Sequence, residues 1–133
     1  EFVITMLNRR KNRDDGFTVM QDFLSRFSEI DAVWAQDDDI AIGVIQAVRQ
    51  ARRQEELFIV GGGGMKDIVK RVMDGDELTP VDVLYPPSMI STAMELTALK
   101  LISDTPIEGE YILGSPLITR ENAEDYYFPD SPF

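Results

Sequence analysis

The chain has 133 residues, with 13 Lys plus Arg against 24 Asp plus Glu for a net charge of −11, and it contains neither cysteine nor histidine. Without those two residue types, disulfide frameworks, thiol nucleophiles, His-based triads and structural zinc sites lose the group they depend on. Catalysis would fall to carboxylates, Lys, Tyr or Ser/Thr, and the composition leans toward binding without a cofactor.

In chain order, Phe2 to Leu7 is a short apolar run with β-branched residues, too brief for a helix, and reads as a buried strand. From Phe17, the positions Phe17, Met20, Phe23, Leu24 and Phe27 recur at three- and four-residue spacing, with polar residues on the other face, which predicts an amphipathic helix. Ala32 to Ala35 reads as the second strand, and Asp38 to about Arg53 as a helix with Ile40, Val44, Ala47, Val48 and Ala51 along one side. Leu57 to Val60 is the third strand. Beyond Gly61 to Gly64, the residues Ile68, Val69, Val72 and Met73 mark a third helix, stopped at Gly75, where a left-handed C′ residue is easily accommodated. A fourth strand is expected around Leu78 to Leu84, broken by Pro86-Pro87, with Ser88 as a cap for a fourth helix from Met89 to Ile102. The remainder reads as an interrupted strand over Glu110 to Thr119 and an acidic, aromatic end that completes no further strand–helix unit.

Strand–helix repeated four times implies an α/β fold with parallel pairing, because each helix is the crossover that returns the chain to the same edge. The strand ends at Asn8, Gln36 to Asp38, Gly61 to Gly64 and Tyr85-Pro86 then gather in one crevice, which is where a function is expected. No apolar run approaches the ~18 residues of a membrane span, and Glu1 to Asn8 lack the features of a signal peptide. Residues 74–133 hold 2 basic and 12 acidic side chains, a balance that repels nucleic acid. Arg9, Arg10, Lys11 and Arg13 form the one basic cluster; with Asp14 and Asp15 beside it, it reads as a solvated loop, a ligand contact being the alternative.

At the crevice, one of Asp37, Asp38 and Asp39 should cap the helix they open, and hydrogen bonding to a polar ligand or metal and phosphoryl chemistry are alternatives for the others. Gly61 to Gly64 with Met65-Lys66-Asp67 misses both the phosphate-loop and the dinucleotide patterns, leaving a tight turn or a close approach to a ligand. Trp34 reads as core more readily than as a stacking platform. Tyr85, at a strand terminus before two prolines, is placed either to pack or to hydrogen-bond a ligand.

Gly16 to Gln21, then Asp31-Ala32-Val33-Trp34-Ala35-Gln36-Asp37-Asp38-Asp39-Ile40-Ala41-Ile42-Gly43, Ile59-Val60-Gly61 and Met73-Asp74-Gly75 resemble the C-terminal lobe of periplasmic sugar-binding proteins of the ribose-binding type, over about residues 2–120. The resemblance implies a doubly wound, Rossmann-like lobe, its sheet incomplete in this chain. It further implies a two-lobed, non-enzymatic protein of the periplasm that closes around a small-molecule sugar and hands it to an ABC transporter permease. Asp37 falls where the family hydrogen-bonds sugar hydroxyls. With it, Tyr85, Gly62, Gly63 and Asn8 are the implied ligand contacts, and no metal or cofactor is implied.

The chain departs from the family at Gly63, where an Asp is common, at Tyr85, where a polar amide is common, and at Lys11 or Asn12, where an aromatic often stacks on the sugar. These differences point to a substrate other than ribose. By the same resemblance, residues 1–110 form most of the lobe. Residues 111–133 form a hinge crossover and tail that pack on a lobe the chain lacks, with Pro86 and Gly114 as hinge positions. A piece of this kind is expected to self-associate. The effector-binding half of a sugar-responsive repressor of the LacI type shares the fold and is the alternative function, to be told apart by a helix-turn-helix upstream.

Overall fold

The computed structural model describes residues 3–6, 12–103 and 108–132. Five strands and five helices follow one another as β1 (Val3–Met6), α1 (Arg13–Arg26), β2 (Ala32–Ala35), α2 (Asp38–Ala51), β3 (Phe58–Val60), α3 (Lys66–Asp74), β4 (Val81–Val83), α4 (Met89–Ile102), β5 (Leu117–Thr119) and α5 (Ala123–Tyr126). The strands form one sheet in the order β1-β2-β3-β4-β5, with β1 to β4 parallel and β5 antiparallel to β4. The strand–helix alternation therefore produces the parallel α/β sheet that its spacing predicts. None of the described helices is long and apolar enough to cross a membrane.

Helix ends follow local chemistry. Asn12 caps α1 by accepting from the Asp15 N–H at 2.8 Å, and Asp37 caps α2 by accepting from the Asp39 N–H at 3.0 Å. Gly75 ends α3 at φ 76°, the left-handed conformation expected of it. Ser88, by contrast, makes no side-chain cap bond to α4. Where α1 crosses α2, two glycines let the backbones touch. A Cβ on Gly43 would stand 2.0 Å from the Arg13 carbonyl oxygen, and one on Gly16 2.7 Å from that of Ile40. Arg53 fastens the far end of the pair by donating to the carbonyls of Leu24, Phe27 and Ser28, each at 2.9 Å.

The core lies on one face of the sheet. Val33, Ala35 and Ile59 point into it with Met20, Ile40, Val44 and Ile68 from the helices, all essentially without solvent exposure. Each buried Val, Ile or Met side chain among them contributes about 1.5–3 kcal/mol. A smaller cluster, Val69, Val72, Ile118 and Ala123, joins α3 to β5 and α5 on the same side. The opposite face has no helix on it among the described residues. Trp34 is 47% exposed there, with Phe58 and Leu117 likewise exposed, so Trp34 is not the core residue its apolar neighbours suggest. Among the described residues the sheet is covered by helices on one side only, an incomplete form of the doubly wound lobe.

Two further departures redraw the lobe. Helix α4, expected to be its fourth crossover helix, has no buried residue, and Ile90, Met94, Leu101 and Ile102 are each more than 60% exposed. The tail, expected from about Tyr111 to leave for another lobe, instead returns from Leu117: β5 pairs with β4 through Val81–Thr119, Asp82–Ile118 and Val83–Leu117, and α5 packs on α3. Among the described residues, Pro116 already joins the sheet, its carbonyl accepting from Leu84 N–H at 3.0 Å, whereas α4 has no buried residue and Gly114 has nothing within 4 Å of its would-be Cβ.

Candidate ligand-binding site

The parallel strands all end at one edge, where a cavity of ≈ 480 Å³ opens. That volume lies within the ~300–1,000 Å³ common for small-molecule sites. The start of α2, the glycine loop after β3, the exit of β4 and the chain end beyond α5 surround it. Of the residues expected to meet a ligand, Asp37, Gly62, Gly63 and Tyr85 all line this cavity, as does the hinge candidate Pro86. Asn8 and the basic positions Arg9 to Lys11 lie outside the described residues.

The three consecutive carboxylates have three separate roles. Asp37 uses Oδ1 for the α2 cap, and Oδ2 is not part of that bond. Asp39 turns outward to Arg13 at 3.2 Å, an exposed pair of little energetic weight. Asp38 points inward, 1% exposed, and holds the glycine loop: Oδ1 accepts from Gly62 N–H at 2.9 Å and Oδ2 from Met65 N–H at 2.7 Å. The second bond caps the start of α3, where Met65 has no polar side chain to offer.

Gly63 and Gly64 carry the turn at φ 142° and 86°, values that L side chains rarely adopt, so an Asp at position 63 would be strained here. At position 63 the loop therefore has no side-chain carboxylate to present, and its N–H donates to the Val83 carbonyl at 2.8 Å. Tyr85 donates its hydroxyl to the Gln36 carbonyl oxygen at 2.6 Å. That commits its one donor, and the phenol oxygen is left to accept. Burial and then the carboxylates of Asp37, Asp38 and Asp82 push its pKa up to about 12, keeping it neutral.

Sequence reasoning missed Asp82 and the chain end. Asp82 sits in β4 with no solvent exposure and accepts from Gly64 N–H at 3.1 Å through Oδ2. Burial, then the neighbouring Asp38, push its pKa up to about 8; burial also raises that of Asp38, against the pull of its N–H donors. An Asp between two valines reads as the solvent face of an alternating strand, and only the sheet register turns it inward. Tyr126 at the end of α5, with Phe128 and Ser131 beyond it, forms a wall of the cavity, held by Lys66, whose Nζ donates to the Ser131 carbonyl at 2.6 Å. The acidic, aromatic composition of that end was the available signal.

With the N–H groups of Gly62 to Met65 all donating within the protein, the cavity is a crevice of glycine backbone with carboxylate and phenol oxygens edged by aromatic rings, a lining that accepts from the hydroxyls of a polar ligand. The sequence profile described as a periplasmic binding protein domain matches residues 3–103. A xylitol-binding protein of Mycolicibacterium smegmatis is 30% identical over 118 residues, covering 84% of this chain and 32% of that protein. The ribose import binding protein of Escherichia coli is 28% identical over 110 residues, covering 83% and 36%. In structure, a galactofuranose binding protein superposes with a TM-score of 0.74 at 27% identity over 86% of this chain and 40% of that one. The chain spans about a third of the length of these curated relatives.

Proposed function

Since this chain belongs to the periplasmic binding protein domain family, we propose that it is the greater part of one lobe of a two-lobed solute-binding component of an ABC importer. In this reading its cavity takes a monosaccharide or a related polyol, the second lobe closes over the open side, and the closed protein delivers its ligand to a membrane permease from the periplasm. Ligand would stabilise the closed state by the contacts it makes there and not in the open one. The observation that carries the reading is the convergence of Asp37, the Gly62–Gly64 loop and Tyr85 at the carboxyl edge of a parallel sheet. A carboxylate oxygen accepts well from adjacent hydroxyls, and the described lining holds no Lys or Arg to pair with a phosphate or other anion. Titrating the full-length protein calorimetrically with pentoses, hexoses and polyols is expected to give saturable heat with at least one. No heat with any overturns the reading.

The uncovered surfaces agree with it. Helix α4 is apolar around much of its circumference, which in a water-soluble protein belongs to a helix covered on more than one side. In the two-lobed protein, segment 88–116 would cross to the second lobe at Pro86 and return at Gly114, with α4 buried there. Met94→Lys is therefore expected to change the stability of this chain alone by no more than about 0.5 kcal/mol, because Met94 is 65% exposed. The same change should cost the complete protein about 2–4 kcal/mol. Urea denaturation of both forms reads the difference. Left alone, the chain would hide these surfaces by self-association.

A further inference from the structure

Two buried carboxyls beneath the glycine loop have a role that ligand contact does not explain. Asp82 is outside the cavity lining, yet it and Asp38 hold the same loop from two elements: Asp38 from the first turn of α2 binds Gly62 and Met65, and Asp82 from β4 binds Gly64. Their Oδ1 atoms converge beside Gly61. A Cβ there would sit 2.6 Å from Asp38 Oδ1 and 2.9 Å from Asp82 Oδ1. Oδ1 of Asp82 is buried without any donor in contact.

Two full negative charges so placed would need a cation, and the described surroundings provide none. On α2 the flanking charges are Asp37 and Asp39, the latter paired with Arg13. The first turn of α3 carries Asp67 and Lys66, whose ammonium is bound to the Ser131 carbonyl. After β4 comes the neutral phenol of Tyr85, and after β5 comes Arg120, which lies against Gly75 at the other end of α3. A buried acceptor with no donor, facing a second carboxylate, is satisfied when one proton lies between them.

We propose that Asp82 and Asp38 share one proton, with Asp82 donating to Asp38, and that this acid pair is the positioning device that keeps the Gly62–Met65 loop in its ligand-ready form. Asp38 remains a carboxylate acceptor for its two N–H donors only while Asp82 supplies the proton. Loss of that proton sets the charges against each other and frees the loop. The sign follows from the raised pKa of Asp82. The folded state binds the proton more tightly than the unfolded state, so the stabilisation is complete below the ordinary carboxylate range and is lost as pH rises through about 8.

Only the step from loop to affinity rests on the solute-binding reading, and the test keeps the two apart. In the full-length protein, amide hydrogen exchange at Gly62, Gly64 and Met65 and the thermal midpoint are followed from pH 5 to pH 9.5, for the parent and for Asp82→Asn. Asn keeps the donor to Asp38 and the acceptor for Gly64 N–H but has no proton to lose. In the parent, exchange corrected for its chemical pH dependence should accelerate by up to about tenfold per pH unit from pH 5 toward the pair's pKa of about 8 and level off above it, and the midpoint should fall over the same range. Asp82→Asn should be flat in both. A flat parent profile overturns the proposal even if the variant does not fold, and so does a variant that follows the parent. If exchange responds and no sugar or polyol binds, the solute reading fails and the acid pair stands. If a ligand binds while exchange stays flat, the reverse holds.

Discussion

Asp37→Ala is expected to weaken sugar or polyol binding by about 10- to 100-fold, the range for removing a hydrogen bond to a charged partner. The residue has two duties that separate cleanly. As the α2 cap it holds Asp39 N–H through Oδ1, and losing that bond costs about 1 kcal/mol of stability. As a wall of the cavity it has a second oxygen outside the cap. Asp37→Asn keeps a carbonyl oxygen for the cap and should leave the denaturation midpoint near that of the parent, yet it removes the charge that strengthens a bond from a ligand hydroxyl. Titration calorimetry and urea denaturation on Ala and Asn variants together distinguish a ligand contact from a helix cap. An affinity unchanged in both would remove Asp37 from the site.

The largest loss of stability is expected from Asp38→Ala, about 3–5 kcal/mol. The change deletes the acceptor for Gly62 and Met65, and each buried N–H left without a partner costs about 1–3 kcal/mol. It also strands Asp82 beside a void. The neighbour provides the control. Asp39 is half-exposed and, among the described residues, paired with Arg13, so Asp39→Ala should shift stability by no more than about 0.5 kcal/mol. Urea midpoints at constant m-value measure both. Equal effects at 38 and 39 would refute the inward bracing of the loop.

Periodicity made much of this fold legible. Apolar positions at three- and four-residue spacing marked α1, α2 and α3, and β-branched runs between them marked β2 and β3, because these elements are decided by local pattern and by burial on one side. The pattern also placed Asp37, Gly62, Gly63 and Tyr85 at a common edge, since parallel strands linked by helices must all end there. What stayed hidden depends on partners remote in sequence. Leu117–Thr119 is a strand only because β4 offers its outer edge. Asp82 is buried only because register turns it toward α2 and α3 and not toward the bare face. Met89–Ile102 reads as a core helix by composition, yet none of its residues is buried, which its own pattern does not reveal. Trp34 shows the same from a strand, an apolar residue on a sheet face that no described helix covers.

The antiparallel strand at the edge of the sheet bears on how the lobe is made. A ribosome delivers β4 well before Leu117, and in the interval it delivers all of α4 and the stretch after it. Until β5 arrives, the outer edge of β4 is unpaired and the apolar faces of Val69 and Val72 lack Ile118 and Ala123. This lobe therefore cannot finish folding in the order of its synthesis: its last strand is threaded in after an intervening segment has emerged. Contacts this distant along the chain are slow to form, and the nascent protein is most exposed to misassembly in that window.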